Sequence, residues 1–345
     1  MPISFGIFDW IDRRPIPLGQ LYEERLALVE AADEAGFFGY HIAEHHQTPL
    51  GMAPSPSVFL AAVAQRTRRI HFGPLVYLLP LYSPLRLIAE ICMLDHLSGG
   101  RLEVGVGRGV SPYEVGYHGL TVEDTRPMFL EALSVLVAGM TRERLTHEGT
   151  YYRYDDVPME LRPLQAPYPP IWYATNTIDN VEWAAARGMQ LVSLGAASAF
   201  RAIVDRYRAA WRQHEDEADR LNPHVATPRI GITRLVVVAD TDAEAEAIVR
   251  AVHPHWKASF VKLWAAHDDA TVYQRVNLLD LEAALRDEMI VRGSPEHVRD
   301  QIARLIDVTG ANYFVGCFAW GDIAFEHALR SLRLFTDEVM PTFTR

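Results

Sequence analysis

Short apolar runs alternate with longer amphipathic stretches along almost the whole chain. ISFGIF (3–8) precedes a helical segment at 21–36, where Leu21, Leu28 and Ala32 share one face and Gly36 supplies a stop. FFGYHIA (37–43) precedes 55–67, and IHFGPLVYL (70–78) precedes 83–100. Both helical segments open with Ser-Pro, an N-cap followed by the proline that the first turn tolerates. RLEVGVG (101–107) precedes a helix near 124–139. The alternation continues with 170–175 then 180–188, 189–195 then 200–216, 229–240 then 241–252, and 311–318 then 322–340.

Eight strand-like runs, each followed by a helix, predict an α/β fold with parallel strands closed into a TIM (β/α)8 barrel, one domain over 1–345. Two stretches stand outside the alternation. TRERLTHEGTYYRYDDVPME (141–160) reads as an inserted hairpin, and 253–292 is a long connection before the last strand. Connections of that length are commonly functional lids. An open doubly wound sheet is the alternative; against it, the glycine-rich turn follows the fourth run rather than the first.

Composition narrows the partners. With 345 residues, 49% hydrophobic and 22% charged, there is ample material for a large core. A formal charge of −11 argues against a nucleic-acid or anionic-membrane surface. Cys92 and Cys317 are the only cysteines, so neither a disulfide scaffold nor a thiolate zinc site is expected. No secretory pattern and no apolar run of membrane-spanning length is present, which predicts a cytoplasmic protein.

In such a barrel the chemistry gathers where strands end at their C-termini. Three unusual clusters fall there: AEHH after the second run, GVGRGVSPYEVG (105–116) after the fourth, and ATNTIDN (174–180) after the fifth. The spacing of His41 and His45 is that of helical zinc ligands, yet the segment reads as strand, and no further metal-ligand cluster stands at a strand end. Strand alternation would turn His41, Ala43 and His45 one way and Ile42 and Glu44 the other. His41 fits a core histidine; Glu44, His45 and His46 at a strand end fit proton handling. Arg108 and the neighbouring backbone amides suit a phosphate, or form a plain glycine turn with a solvated arginine. Arg126 is a second charge or a surface residue. Asn176, Thr177 and Asn180 donate hydrogen bonds at the fifth strand or cap the helix that follows.

The segments AEHHQT, LPLYSPLRLIAEICMLDHLSGGRLEVGVGRG, VEWAAARG and LFTDEVMP, in this order from about residue 3 to Pro341, resemble the bacterial luciferase-like flavin monooxygenases. The resemblance implies a TIM barrel with insertions and reduced FMN delivered by a separate flavin reductase. It also implies dioxygen as co-substrate, a flavin peroxide, and oxygenation of a small organic molecule. It makes His45 the catalytic histidine, with Glu44 and His46 as motif neighbours. Arg108 and the amides of Gly109 and Val110 become the phosphate loop, with Arg126 as a second phosphate-binding arginine.

Asn176, Thr177 and Asn180 stand where the luciferase catalytic subunit has Glu, Ser and Thr, so only Thr177 keeps the chemistry. Leu75 and Val76 match a pair joined by a non-proline cis peptide beneath the flavin, although energetics alone favour Gly73–Pro74 for a cis bond. Gly107 replaces a reactive cysteine, which argues against light emission and long-chain aldehydes and suggests extra room beside the flavin. The Arg108-Gly109 loop and a lid at 262–285 distinguish the chain from the noncatalytic luciferase subunit. Substrate is expected between the flavin and the segments carrying Phe8, Tyr113 and 262–285. The resemblance also implies a homodimer through the second and third helices, for which VFLAAVA and LIAEICML are suitably apolar; core packing explains them equally well. A deazaflavin-dependent hydride-transfer enzyme, a zinc-dependent hydrolase and a noncatalytic partner subunit remain the competing readings.

Overall fold

Helix boundaries follow the chemistry of their end residues. Pro56, Pro84 and Pro295 each occupy a first helical turn, after Ser55, Ser83 and Ser294. Gly36, Gly99 and Gly310 end helices in the left-handed conformation, with φ of 84°, 66° and 71°. A computed structural model of the protein describes residues 3–343. Its elements are β1 (Ser4–Asp9), α1 (Leu18–Ala35), β2 (Gly39–Ile42), α2 (Pro56–Arg66), β3 (His71–Pro74), β4 (Tyr77–Leu78), α3 (Pro84–Ser98) and β5 (Val104–Gly107). Then come α4 (Pro112–Tyr117), α5 (Val122–Thr141), β6 (Arg144–Glu148), β7 (Arg153–Pro158), β8 (Ile171–Ala174), α6 (Ile178–Ala186), β9 (Gln190–Ser193) and α7 (Ala197–Gln213). The chain continues through β10 (Ile230–Val238), α8 (Asp242–Ala266), α9 (Val272–Arg275), α10 (Leu281–Arg286), β11 (Ile290–Gly293), α11 (Pro295–Thr309), β12 (Tyr313–Cys317) and α12 (Phe325–Leu334).

The strands run parallel in the order β3-β2-β1-β12-β10-β9-β8-β5-β4. A parallel bridge between Phe72 of β3 and Leu102, just ahead of β5, joins the two ends of that path, so the sheet is a nearly closed barrel. An open doubly wound sheet is thereby excluded. Leu75, Trp172, Val192, Tyr313 and Val315 pack into one buried cluster inside the barrel. Gly73 lies so close to Glu103 that a Cβ there would strike the Glu103 carbonyl oxygen.

Three departures from the sequence pattern have physical causes. The third apolar run is two strands, β3 pairing with β2 and β4 pairing with β5, with Leu75–Val76 between them in a cis peptide. The non-proline cis bond therefore stands at Leu75–Val76 and not at Gly73–Pro74. The stretch 253–292 is largely helical: α8 continues through Pro254 to Ala266, although proline removes one helical hydrogen bond. It ends in β11, a strand the apolar pattern did not reveal, which pairs with β10 outside the main path. Residues 322–340 are broken into α12 and a π-helical turn at Phe335–Val339. β6 and β7 pair antiparallel as a separate two-stranded ribbon. No helix among the described residues is long and apolar enough to cross a membrane.

Candidate functional site

A cavity of about 480 Å³ opens at the C-terminal rim of the barrel, lined from the ends of β1, β2, β4, β5, β8 and β9, from Thr233 of β10, and from α4 and α8. Ten of the sequence-derived candidates line it: Glu44, His45, Leu75, Val76, Arg108, Gly109, Val110, Asn176, Thr177 and Asn180. His46 and Arg126 are not among the lining residues and reach it through partners.

β2 ends at Ile42, and the alternation expected beyond it stops there. Glu44 and His45 consequently both line the cavity instead of facing opposite ways. The turn is tight: Gln47 has a φ of 59°, and a Cβ on Gly51 would lie 2.8 Å from that of His45. Two carboxylates hold the two imidazoles. His45 Nδ1 lies 3.1 Å from Glu114 Oε1, and Glu114 Oε2 accepts the backbone N–H of His46 at 3.0 Å. His46 Nε2 lies 2.7 Å from Glu44 Oε1. Glu44 thus orients His46, not His45. Its other oxygen accepts from the Leu78 N–H at 3.0 Å and the Tyr82 hydroxyl at 2.9 Å. Burial, then the Glu44 charge, pushes the Tyr82 phenol far above its ordinary range, so it acts as a donor.

His41 is fully buried, its Nε2 2.8 Å from the Tyr313 hydroxyl. Burial, reinforced by Arg229 and His71, lowers its pKa to about 3, which keeps it neutral. It belongs to the barrel interior.

On the β5 side, Gly109 adopts a φ of +86°, a conformation that glycine supplies without steric cost. Arg108 Nη1 donates to Thr125 Oγ1 at 3.2 Å, which ties the loop to α5. Arg126 Nη1 donates to Asn180 Oδ1 at 3.2 Å, and its guanidinium lies 5.2 Å from the Trp183 ring centroid. Burial raises the Tyr173 phenol, against the opposing pull of Arg126 and Arg108. Asn176 Oδ1 accepts from Ser193 Oγ at 2.5 Å and the Leu194 N–H at 3.2 Å. Thr177 is the N-cap of α6, yet its side chain makes no cap bond; it lies 3.4 Å from the Thr175 hydroxyl. Gly107 leaves no extra room: a Cβ there would run into the Val76 side chain, which fills the space.

Two features escaped the sequence. Glu114 sits within the glycine-rich stretch, but Ser111-x-x-Glu114 reads as a helix capping box. Ser111 does cap, accepting the Glu114 N–H at 3.3 Å, while the Glu114 carboxylate turns to the histidines. The second is an aromatic row on α8, Trp256, Phe260 and Trp264, whose spacing of four was visible but fell in a region read as connection. Beyond α8, Tyr113 stacks on His267 at 4.1 Å and donates to Asp269 Oδ2 at 2.8 Å. Tyr117 lies 3.1 Å from His267 Nε2. No group of three or more His, Cys, Asp or Glu among the described residues is placed to hold a metal ion.

Comparison with known proteins gives a consistent pattern. The family model described as luciferase-like monooxygenase matches residues 3–312. The uncharacterized protein y4wF of Sinorhizobium fredii is 37% identical, over 98% of this chain and 96% of that protein. The oxygenase component of the flavin-dependent trigonelline monooxygenase of Acinetobacter baylyi is 25% identical, over 94% of this chain and 91% of its own length. Among solved structures, the monooxygenase RslO1 of Streptomyces bottropensis superposes with a TM-score of 0.87 at 26% identity, covering 99% of this chain and 100% of RslO1.

Proposed function

The chain belongs to the luciferase-like monooxygenase family, and from that footing we propose that it is a two-component flavin-dependent monooxygenase. It uses reduced FMN, made by a separate flavin reductase, and dioxygen to oxygenate a small organic substrate. One observation carries the reading: a single cavity joins a carboxylate-held imidazole, His45, to a cationic rim at Arg108. Its floor includes Leu75, Val76 and Val192.

The residues present fit FMN. An anionic phosphate is matched by Arg108 and by the amides of Gly109 and Val110, exposed where the left-handed glycine turns the loop. Arg126 acts from behind, holding the Asn180 carbonyl and leaving the Asn180 amide for the ligand. Asn176 is fixed by Ser193 and Leu194, while Thr177 supplies a hydroxyl that the helix does not use. Leu75 and Val76 give an apolar shelf for the ring system. Bound reduced FMN supplies the electrons that activate dioxygen.

The protein then has three tasks. With Nδ1–H donated to Glu114, His45 keeps Nε2 to hold or deliver a proton beside the ring. Glu44 and Tyr82 fix His46 and the β4 end, and so the shape of that wall. Residues 262–285, with the end of α8, cover the cavity and exclude water, Phe260, Leu263 and Trp264 forming the inner surface of that cover.

The chain is read as one domain over 1–345 with insertions at about 141–160 and 253–292. We read it as cytoplasmic, a reading that its two buried, free cysteines support. A homodimer through α2 and α3 is supported by Val58, Met93 and Leu97. These remain exposed while Phe59, Leu60, Leu87, Ile88 and Ile91 are buried in the core. Anaerobic titration with reduced FMN tests the function: saturable binding at one site, followed on adding oxygen and substrate by product and oxidised FMN, is expected. Binding of reduced deazaflavin but not FMN reverses the cofactor, and no flavin binding leaves the noncatalytic reading.

A further inference from the structure

The two halves of the cavity differ in chemistry. Every charged residue that lines it, Glu44, His45, Arg108 and Glu114, comes from the segments after β2 and β5, and each is already hydrogen-bonded within the protein. The side formed by α8 and the end of β1 carries no ionisable group; it presents Phe8, Trp10, Phe260, Leu263 and Trp264. The hydroxyl of Thr48, which also lines the cavity, is donated to the Ser259 carbonyl at 3.1 Å.

The rings there form one continuous assembly. Phe8 meets Trp10 edge-on, centroids 4.8 Å apart; Trp10 lies 5.8 Å from Trp256, and Trp256 lies 5.2 Å from Phe260. Phe260 and Trp264 are near parallel, at 10° and 6.1 Å. The wall offers ring surface without a counterion. An ionic group entering it loses hydration with no compensating partner. The charges of the same cavity, Glu44, Glu114 and Arg108, are already bonded within the protein and are not free to serve as its counterion.

We propose that the substrate is an uncharged, predominantly apolar ring compound, seated against the aromatic wall of α8 with Trp264 and Leu263 as the residues that select it. This rests on the reading of the opposite half as the flavin site.

The test uses the full-length protein loaded with FMN and three probes sharing one ring, cyclohexyl methyl ketone, cyclohexanecarboxylate and cyclohexyltrimethylammonium, each titrated by calorimetry. The ketone is expected to bind, and both ions to bind roughly tenfold or more weakly. Trp264→Ala should weaken the ketone roughly tenfold, Trp264→Phe much less. Leu263→Lys should favour the carboxylate. Equal or tighter binding of either ion, no binding of the ketone, or an unchanged ketone affinity in Trp264→Ala overturns the proposal. Trp264 is only partly buried, so its truncation leaves a folded protein to measure. Flavin titration of the same samples separates the two failures. FMN binding without ketone binding removes the substrate class alone. Ketone binding by the flavin-free protein, with no FMN binding, removes the functional reading instead.

Discussion

His45 Nδ1 and Glu114 Oε1 lie 3.1 Å apart, although His45 follows β2 and Glu114 stands on α4, 69 residues further along the chain. The carboxylate is almost fully buried and the imidazole partly so, which strengthens their hydrogen bond relative to one in water. Glu114 therefore sets the tautomer of His45 and, under the proposed function, leaves Nε2 for the proton. His45→Ala is expected to lower product per oxygen consumed by on the order of a hundredfold, with hydrogen peroxide released instead. Glu114→Gln should give a smaller loss and a shifted pH profile, while FMN affinity holds. Oxygen-electrode and product assays on the two variants check this; unchanged coupling in both removes the role of His45.

Arg108 presents its charge at the cavity while bonding Thr125. Arg108→Ala should weaken reduced FMN by about 1.5–3 kcal/mol, the value of a hydrogen bond to a charged group, or roughly 10- to 150-fold in Kd. Arg126→Ala should cost less, because Arg126 reaches the rim through Asn180. Equal Kd values for wild type and Arg108→Ala would remove the phosphate assignment.

Glu44 is buried and satisfies the Leu78 N–H, the Tyr82 hydroxyl and His46. Glu44→Ala strands those donors, so unfolding free energy should fall by roughly 2–4 kcal/mol. Urea denaturation measures it; a loss below about 0.5 kcal/mol, the range of ordinary surface changes, would mean the network contributes little.

His41 gives a pH dependence of stability. Its folded pKa, about 3, is below the ordinary 6.5, so between those values the unfolded chain binds the extra proton. The stability tied to neutral His41 is therefore fully present above pH 6.5 and is lost as pH falls from 6.5 toward 3. The slope approaches about 1.4 kcal/mol per pH unit. His41→Gln should show a shallower decline between pH 6 and 4 than wild type in denaturation midpoints. Parallel curves would contradict the assignment.

Much of this was legible in the chain. Repeated strand and helix periods fixed a parallel barrel, because Ser-Pro starts and glycine stops punctuated the helices. His45 and Arg108 stood out because polar residues at the end of a buried strand have no role in packing. What stayed hidden depended on long-range pairing. Glu114 carries the signature of a local helix cap, and only the fold reveals that its carboxylate points 69 residues back along the chain. β11 reads IVRG, and Arg292 and Gly293 cut its apolar run too short to register. Pro254 disguised the middle of α8 and, with it, the aromatic row.

Tyr113 and Glu114 are joined by one peptide bond, yet they face different partners. The first is stacked on His267 beyond α8; the second grips His45. A single short helix thus links the segment after α8 to His45. Under the proposed function, a shift of the His267 segment would therefore be transmitted through one turn of helix to the carboxylate that aims the imidazole.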